Sequence, residues 1–254
     1  LCAGRATRLV RLFHLLPKRY EAEIVLGVET DTDDRTGEPR GSPRAWDVVT
    51  RADARLALEA LTGELMQTPP AFSAKKVEGR RAHRVARSGR ELELAPVPVR
   101  VHALELRDWE PPLARVDAWV STGTYVRALA RDLGRMLGCG AHLGALRRTA
   151  VGPFGVEEAL AADELREPGA GRGGAAWRTP AAALDWLPVR ALAAEEAEMV
   201  SHGGAVPEGD VASPLRTGFP VGGEPALPVA LVEAGRLVAV AERRGACLLY
   251  TSDA

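Results

Sequence analysis

The sequence predicts an α+β protein: a mixed, largely antiparallel sheet with flanking helices, followed by a small β-rich C-terminal domain. Three observations carry this. Strand-like and helix-like runs are interleaved through short, hairpin-like links. Val97–Leu106 and Leu113–Ser121 are two β-rich runs separated by Pro111-Pro112, which suits an antiparallel pair. Over residues 161–182 the composition shifts to Gly, Ala, Pro and Arg, as in a linker, and β-rich patterning resumes beyond it.

The elements follow in order. In Tyr20–Leu26, Tyr20, Ala22, Ile24 and Leu26 share one face and glutamates the other, which predicts a half-buried strand. Residues 30–46 are polar and turn-rich, and Asp31, Asp33 and Asp34 suit Asx-type turns. Thr50-Arg51-Ala52-Asp53 fits a capping-box variant. It opens a helix with Leu58, Leu61 and Leu65 as its buried stripe, stopped by Pro69-Pro70. Gly79 to Arg87 is expected to form a short basic helix. In the second β-rich run, Ala114, Val116, Ala118 and Val120 alternate with Arg115, Asp117 and Trp119. A helix starts at Tyr125, and a strand lies near Leu146–Val151. The second domain is expected over residues 183–246, with a short helix at Ala194–Val200 and a hairpin, Val229–Val232 with Leu237–Ala241, about Gly235. Residues 247–254 read as translated sequencing adaptor, outside the fold; the competing reading is a final strand through Leu248-Leu249-Tyr250.

A chain of 254 residues can bury a full core, and 46% hydrophobic with 26% charged residues is ordinary for a soluble protein. No apolar run approaches a membrane span. Three scattered cysteines, Cys2, Cys139 and Cys247, argue against a disulfide framework and fit a reducing cytoplasm. His14, His83, His102 and His202 show no ligand spacing, so no metal site is expected. A net charge of −1 does not advertise nucleic-acid binding. The charge is uneven, however. Lys75, Lys76, Arg80, Arg81, Arg84, Arg87 and Arg90 crowd one region, and Lys18-Arg19 and Arg147-Arg148 add two basic points. Such patches can bind phosphates; read alone, a solvated helix face is the preferred reading. Gly169–Gly174 formally satisfies G-x-G-x-x-G, but it follows Arg166-Glu167-Pro168 and no strand, so a linker is expected there.

The most informative stretch is Ser121–Gly134, S-T-G-T-Y-V-R-A-L-A-R-D-L-G. A strand end passes through Gly123 into a helix with Thr124 as the expected N-cap. Leu129, Leu133, Met136 and Leu137 make the core stripe, which leaves Tyr125 and Arg127 in the first turn free for other work. A cation at a helix N-terminus opposes the macrodipole, so Arg127 is expected to have an anionic partner.

This stretch resembles the TruB family of bacterial tRNA pseudouridine synthases, in which a G-T-Y-x-R segment lines the uridine pocket. Further blocks are similar in the same order: Lys18-Arg19-Tyr20 before a strand; Leu26-Gly27 with Thr30-Asp31-Thr32-Asp33; Gln67-Thr68-Pro69-Pro70 through Ser73-Ala74-Lys75-Lys76; and Cys139-Gly140-Ala141-His142-Leu143 through Leu146-Arg147-Arg148. The family's nucleophilic aspartate stands in G-T-L-D-P, and that motif does not occur here, so a chain truncated at its N-terminus is expected.

The resemblance implies a pseudouridine-synthase fold over residues 1–160, joined through a linker at 161–182 to a PUA-like RNA-holding domain. It implies isomerisation of a tRNA T-loop uridine flipped from its stack, with no cofactor and no metal. Tyr20 would stack on the base, Tyr125 would handle a proton or hydrogen bond, Arg127 would orient the aspartate, and Leu146 would pack beneath the uracil. Lys18, Arg19, Lys75, Lys76, Arg80, Arg81, Arg147 and Arg148 would hold RNA. Without the aspartate this chain is expected to be inactive; a monomer is the default expectation, since nothing signals an interface, and the cytoplasm follows from the cysteines. The alternative is a non-catalytic tRNA-binding or chaperone module. An unrelated hydrolase finds no support, since no G-x-S-x-G or Cys/His constellation is present. Read without the resemblance, Tyr20 is a strand-start packing residue, Tyr125 a surface aromatic and Leu146 plain apolar packing.

Overall fold

The computed structural model describes residues 2–72, 76–77, 80–81, 94–164, 177–219 and 227–250. In chain order its elements are α1 (Val10–Phe13), β1 (Lys18–Leu26), β2 (Glu29–Thr30), β3 (Pro39–Arg40), α2 (Arg51–Ala60), β4 (Gly63–Gln67), β5 (Lys76–Val77), β6 (Arg80–Arg81), β7 (Val97–Glu110), β8 (Leu113–Val120), α3 (Val126–Met136), β9 (Ala141–Val151), β10 (Phe154–Gly155), α4 (Pro180–Ala183), β11 (Val189–Ala191), α5 (Ala194–Ser201), β12 (Val206–Pro207), β13 (Val211–Ala212), β14 (Val229–Glu233), β15 (Arg236–Arg244) and β16 (Cys247–Tyr250). They fall into two compact units, residues 17–151 and residues 1–16 with 152–254. The division differs from the expected boundary at residue 160, and the N-terminal segment joins the later unit.

Within residues 17–151 the sheet runs β9-β1-β8-β7-β4, every pairing antiparallel. The alternation expected of β1 and β8 is present. Ala22, Ile24 and Leu26 meet Ala114 and Val116 in one buried cluster that also takes Leu58, Val126, Ala130 and Leu133 from the helices. α2 opens on the expected capping box, Thr50 with Asp53. It ends earlier than expected. Gly63 takes φ +107°, a conformation L side chains avoid, and the chain turns into β4 before reaching Pro69-Pro70. Leu65 therefore packs from a strand. In the basic region Lys76–Val77 pairs with Arg80–Arg81 as a two-stranded ribbon, so Arg80-Arg81, expected in a helix over Gly79–Arg87, are in a strand, and the rest of that expected helix is not among the described residues. Residues 82–90, with Arg84, Arg87 and Arg90, lie outside the described residues, as do Lys75 and Gly169–Gly174.

The second unit holds a six-stranded sheet in the order β12-β16-β15-β14-β11-β13. The expected hairpin is β14–β15. Its core gathers Leu192, Val200, Val206, Val229, Leu231 and Leu248. Cys247–Tyr250, read from sequence as adaptor, is a strand paired with β12 and β15, with Leu248 fully buried. In the same unit Phe13 packs edge-on to Phe154 and against the buried Trp186. No helix among the described residues is long and apolar enough to cross a membrane.

Candidate active site at the start of helix α3

Helix α3 is held to the sheet by Val126, Leu129, Ala130 and Leu133, all nearly solvent-free. Met136, expected in that stripe, is 52% exposed; it sits at the edge of the seam that Val126, Ala130, Leu133 and Leu137 define. At Gly134 the helix passes close to the start of β9: a Cβ there would stand 2.1 Å from the backbone nitrogen of Ala141. The N-cap is Tyr125, one residue later than expected, at φ −99° and ψ 108° and with no side-chain cap of its own. Its phenol ring centroid lies 6.0 Å from the Arg127 guanidinium carbon.

Arg127 has the anionic partner its position calls for. Its Nη1 donates to Asp34 Oδ2 at 3.0 Å, and its Nη2 donates to the Phe72 carbonyl at 2.7 Å. Asp34 is set by a turn docked on β9: Arg35 N–H donates to the Leu143 carbonyl and Leu143 N–H to the Asp33 carbonyl. Asp34 does the expected turn work as well, its Oδ1 accepting from the backbone and hydroxyl of Thr36 and from the Thr32 hydroxyl. Burial works against its anion. The hydrogen bonds from Thr36, Thr32 and Arg127 outweigh that and hold the carboxyl below the ordinary range.

A second, deeper pair lies one helical turn along; the sequence reading gave Asp33 only a turn role and Arg131 none. Arg131, 6% exposed, donates to Asp33 Oδ2 at 2.8 Å, Asp132 Oδ1 at 2.9 Å and the Thr68 carbonyl at 3.0 Å. Burial pushes the Asp33 carboxyl up, against the pull of Arg131, Arg135 and Arg127. The spacing Arg127–Arg131 is i, i+4, and Asp33-Asp34 are adjacent; that signal was available in the sequence. Gln67, 2% exposed, was likewise passed over, and its carboxamide bonds both backbone groups of Tyr125.

The sheet sorts the remaining residues by face. In β1, Tyr20 lies opposite Ala118 on one side and Arg148 on the other, and Ala22 lies opposite Leu146. Cross-strand partners share a face, so Lys18, Tyr20, Leu146 and Arg148 stand on the face that α3 covers. Tyr20 packs against Val101, Ala118, Val120 and Leu129. Leu146 is 46% exposed, so that face is open over β9 and Leu146 is not ordinary core packing. Burial lowers the Lys18 ammonium from its ordinary value, and the Arg148 charge lowers it further. Arg19 and Arg147 stand on the opposite face, where Arg19 lies 4.2 Å over the Trp119 ring and Arg147 is 3.7 Å from Glu21. The two adjacent basic pairs expected to act as points are thus each split across the sheet. Among the described residues no group of three or more His, Cys, Asp or Glu could hold a metal ion.

Residues 1–126 match the family described as TruB family pseudouridylate synthase (N terminal domain), and residues 127–168 that of the tRNA pseudouridylate synthase B C-terminal domain. The tRNA pseudouridine synthase B of Thermobifida fusca (strain YX) is 42% identical over 249 residues, covering 95% of this chain and 78% of its own length. Those of Symbiobacterium thermophilum and Aromatoleum aromaticum are 43% and 47% identical, over 80% and 63% of this chain. The alignments span 67% and 51% of the lengths of those two relatives. Among solved structures, a chain of an H/ACA RNP bound to a substrate RNA containing 2'-deoxyuridine superposes with a TM-score of 0.65 at 19% identity, covering 97% of this chain and 68% of that one. A chain of a Cbf5-Nop10-Gar1 complex gives 0.64 at 22% identity, covering 96% and 69%. The largely antiparallel α+β architecture is thus that of the pseudouridine synthases, and this chain belongs to the TruB family of pseudouridylate synthases.

Proposed function

We propose that the site at the start of α3 receives a uridine flipped from the T-loop of tRNA, and that the chemistry it serves is isomerisation to pseudouridine. Two observations support this: the Tyr125 ring lies 6.0 Å from the Asp34-bound Arg127 guanidinium at the start of α3, and Tyr20 and the exposed Leu146 stand on the sheet face against which α3 packs. In this reading Tyr20 stacks on the extruded base, a contact worth about 1–3 kcal/mol per base. Tyr125 supplies a phenol for proton handling or hydrogen bonding, and Leu146 is the apolar floor. Lys18, Arg148 and the basic residues Lys75, Lys76, Arg80 and Arg81 hold the T-arm by its phosphates. The relatives' names, tRNA pseudouridine synthase B, support tRNA as the substrate. The reaction uses no cofactor or metal, and the protein acts as a cytoplasmic monomer.

Detaching uracil and rejoining it through carbon needs a nucleophile, and these 254 residues contain no G-T-L-D-P. The chain as it stands therefore binds T-loop RNA without converting it. The second reading is a non-catalytic tRNA-binding module, in which the Arg127–Asp34 pair at 3.0 Å serves to hold the 30–36 turn against α3. The test pairs RNA binding with uridine conversion on a tRNA transcript. Substantial conversion by the present chain refutes inactivity. Fusing the N-terminal segment of the Thermobifida fusca relative should restore conversion; tight binding with no restored conversion would instead establish the tRNA-binding module.

A further inference from the structure

Tyr125 occupies an awkward position. It is the N-cap of α3, so its own N–H lies outside the helical ladder, and no side chain of its own closes the cap. Its carbonyl already accepts from Ala128 and Leu129. Gln67, at the end of β4, reaches across 58 residues of sequence to both sides of that Cα. Tyr125 N–H donates to Gln67 Oε1 at 2.9 Å, and Gln67 Nε2 donates to the Tyr125 carbonyl at 3.2 Å. Only one orientation of the carboxamide satisfies an N–H and a C=O together, so the amide is fixed by its partners. Gripping the peptide groups on both sides of a residue fixes its φ and ψ, and hence the direction of its Cα–Cβ bond.

We infer that Gln67 is a positioning residue for the Tyr125 phenol: its buried carboxamide aims the ring from the backbone side. The inference rests on the reading of Tyr125 as a site residue given above. The choice of side chain supports it. A glutamate could accept from the N–H but would set a buried anion against the carbonyl, and an apolar isostere would leave the Tyr125 N–H without its acceptor. The segment that follows Gln67 strengthens the seam. The Thr68 carbonyl accepts from Arg131 and the Phe72 carbonyl from Arg127, so three successive points of residues 67–72 fix the first two turns of α3.

The chain has three tyrosines, Tyr20, Tyr125 and Tyr250, so 3-fluorotyrosine labelling gives three ¹⁹F signals, each assignable with a Tyr→Phe variant. In the full chain, Gln67→Met should shift or broaden the Tyr125 signal while that of Tyr20 stays within its native linewidth, and should weaken binding of a T-arm RNA hairpin roughly 10-fold or more. Gln67→Glu, which keeps the acceptor, should give an intermediate Tyr125 signal that returns toward the native position as the pH is lowered and the new carboxyl regains a donor. It also serves should Gln67→Met fail to fold. An unmoved Tyr125 signal in a folded variant, or Tyr20 and Tyr125 signals altered alike, overturns the positioning role. A Tyr125 signal that moves with Gln67 but ignores the RNA hairpin in the native chain overturns the uridine-site reading instead, so the two failures are distinct.

Discussion

Replacing Arg131 with methionine is the sharpest test of how α3 is held. The guanidinium is 8% exposed and serves three acceptors: Asp33 at 2.8 Å, Asp132 at 2.9 Å and the Thr68 carbonyl at 3.0 Å. Asp132, 30% exposed, can turn to water, but Asp33 at 11% cannot. Deleting one partner of a buried pair costs about 3–5 kcal/mol because the other charge is stranded. Arg135 and Arg127 still pull on Asp33, which places the expected loss near the lower end, about 3 kcal/mol. Urea unfolding read by amide exchange within Val126–Met136 reports this unit without the other. Pairing Arg131→Met with Asp33→Asn removes both charges, and the cycle should show a coupling of at least about 1 kcal/mol. A single-variant cost under roughly 1 kcal/mol, or strict additivity, would refute the buried-pair argument.

Gly134→Ala should destabilise by about 1–3 kcal/mol or more, because the added Cβ meets backbone of the 140–141 turn, which cannot step aside; equal melting of variant and parent would contradict the close approach. Leu146→Ala should change stability by no more than about 0.5 kcal/mol, since the side chain is half exposed, yet weaken T-arm RNA binding; unaltered RNA affinity removes Leu146 from the site. Asp34 titrates below its unfolded value, so its contribution to stability is present above the unfolded carboxylate range and is lost as the pH falls through the folded value. Asp34→Asn should therefore flatten the acid limb of the stability–pH profile, and an unchanged limb would show that the carboxyl carries no such linkage.

The local grammar of this protein was legible in its residues. Period-two alternation marked β1 and β8, a Thr–Asp capping box opened α2, and Gly235 set the β14–β15 turn, because each depends only on neighbours in the chain. The ordered motifs, from Lys18-Arg19-Tyr20 to the Leu146-Arg147-Arg148 block, were enough to point to the family. Long-range pairing decided the rest. Only the fold shows that Gln67 closes on the backbone of Tyr125, that Asp33 and Asp34 answer arginines more than 90 residues away, and that Lys18-Arg19 and Arg147-Arg148 are each parted by the sheet. The physical reason is that a carboxamide or carboxylate satisfies whichever partner the packing brings within about 3 Å. Sequence names the group that must be satisfied; the tertiary arrangement of β4, the 30–36 turn and α3 selects the partner.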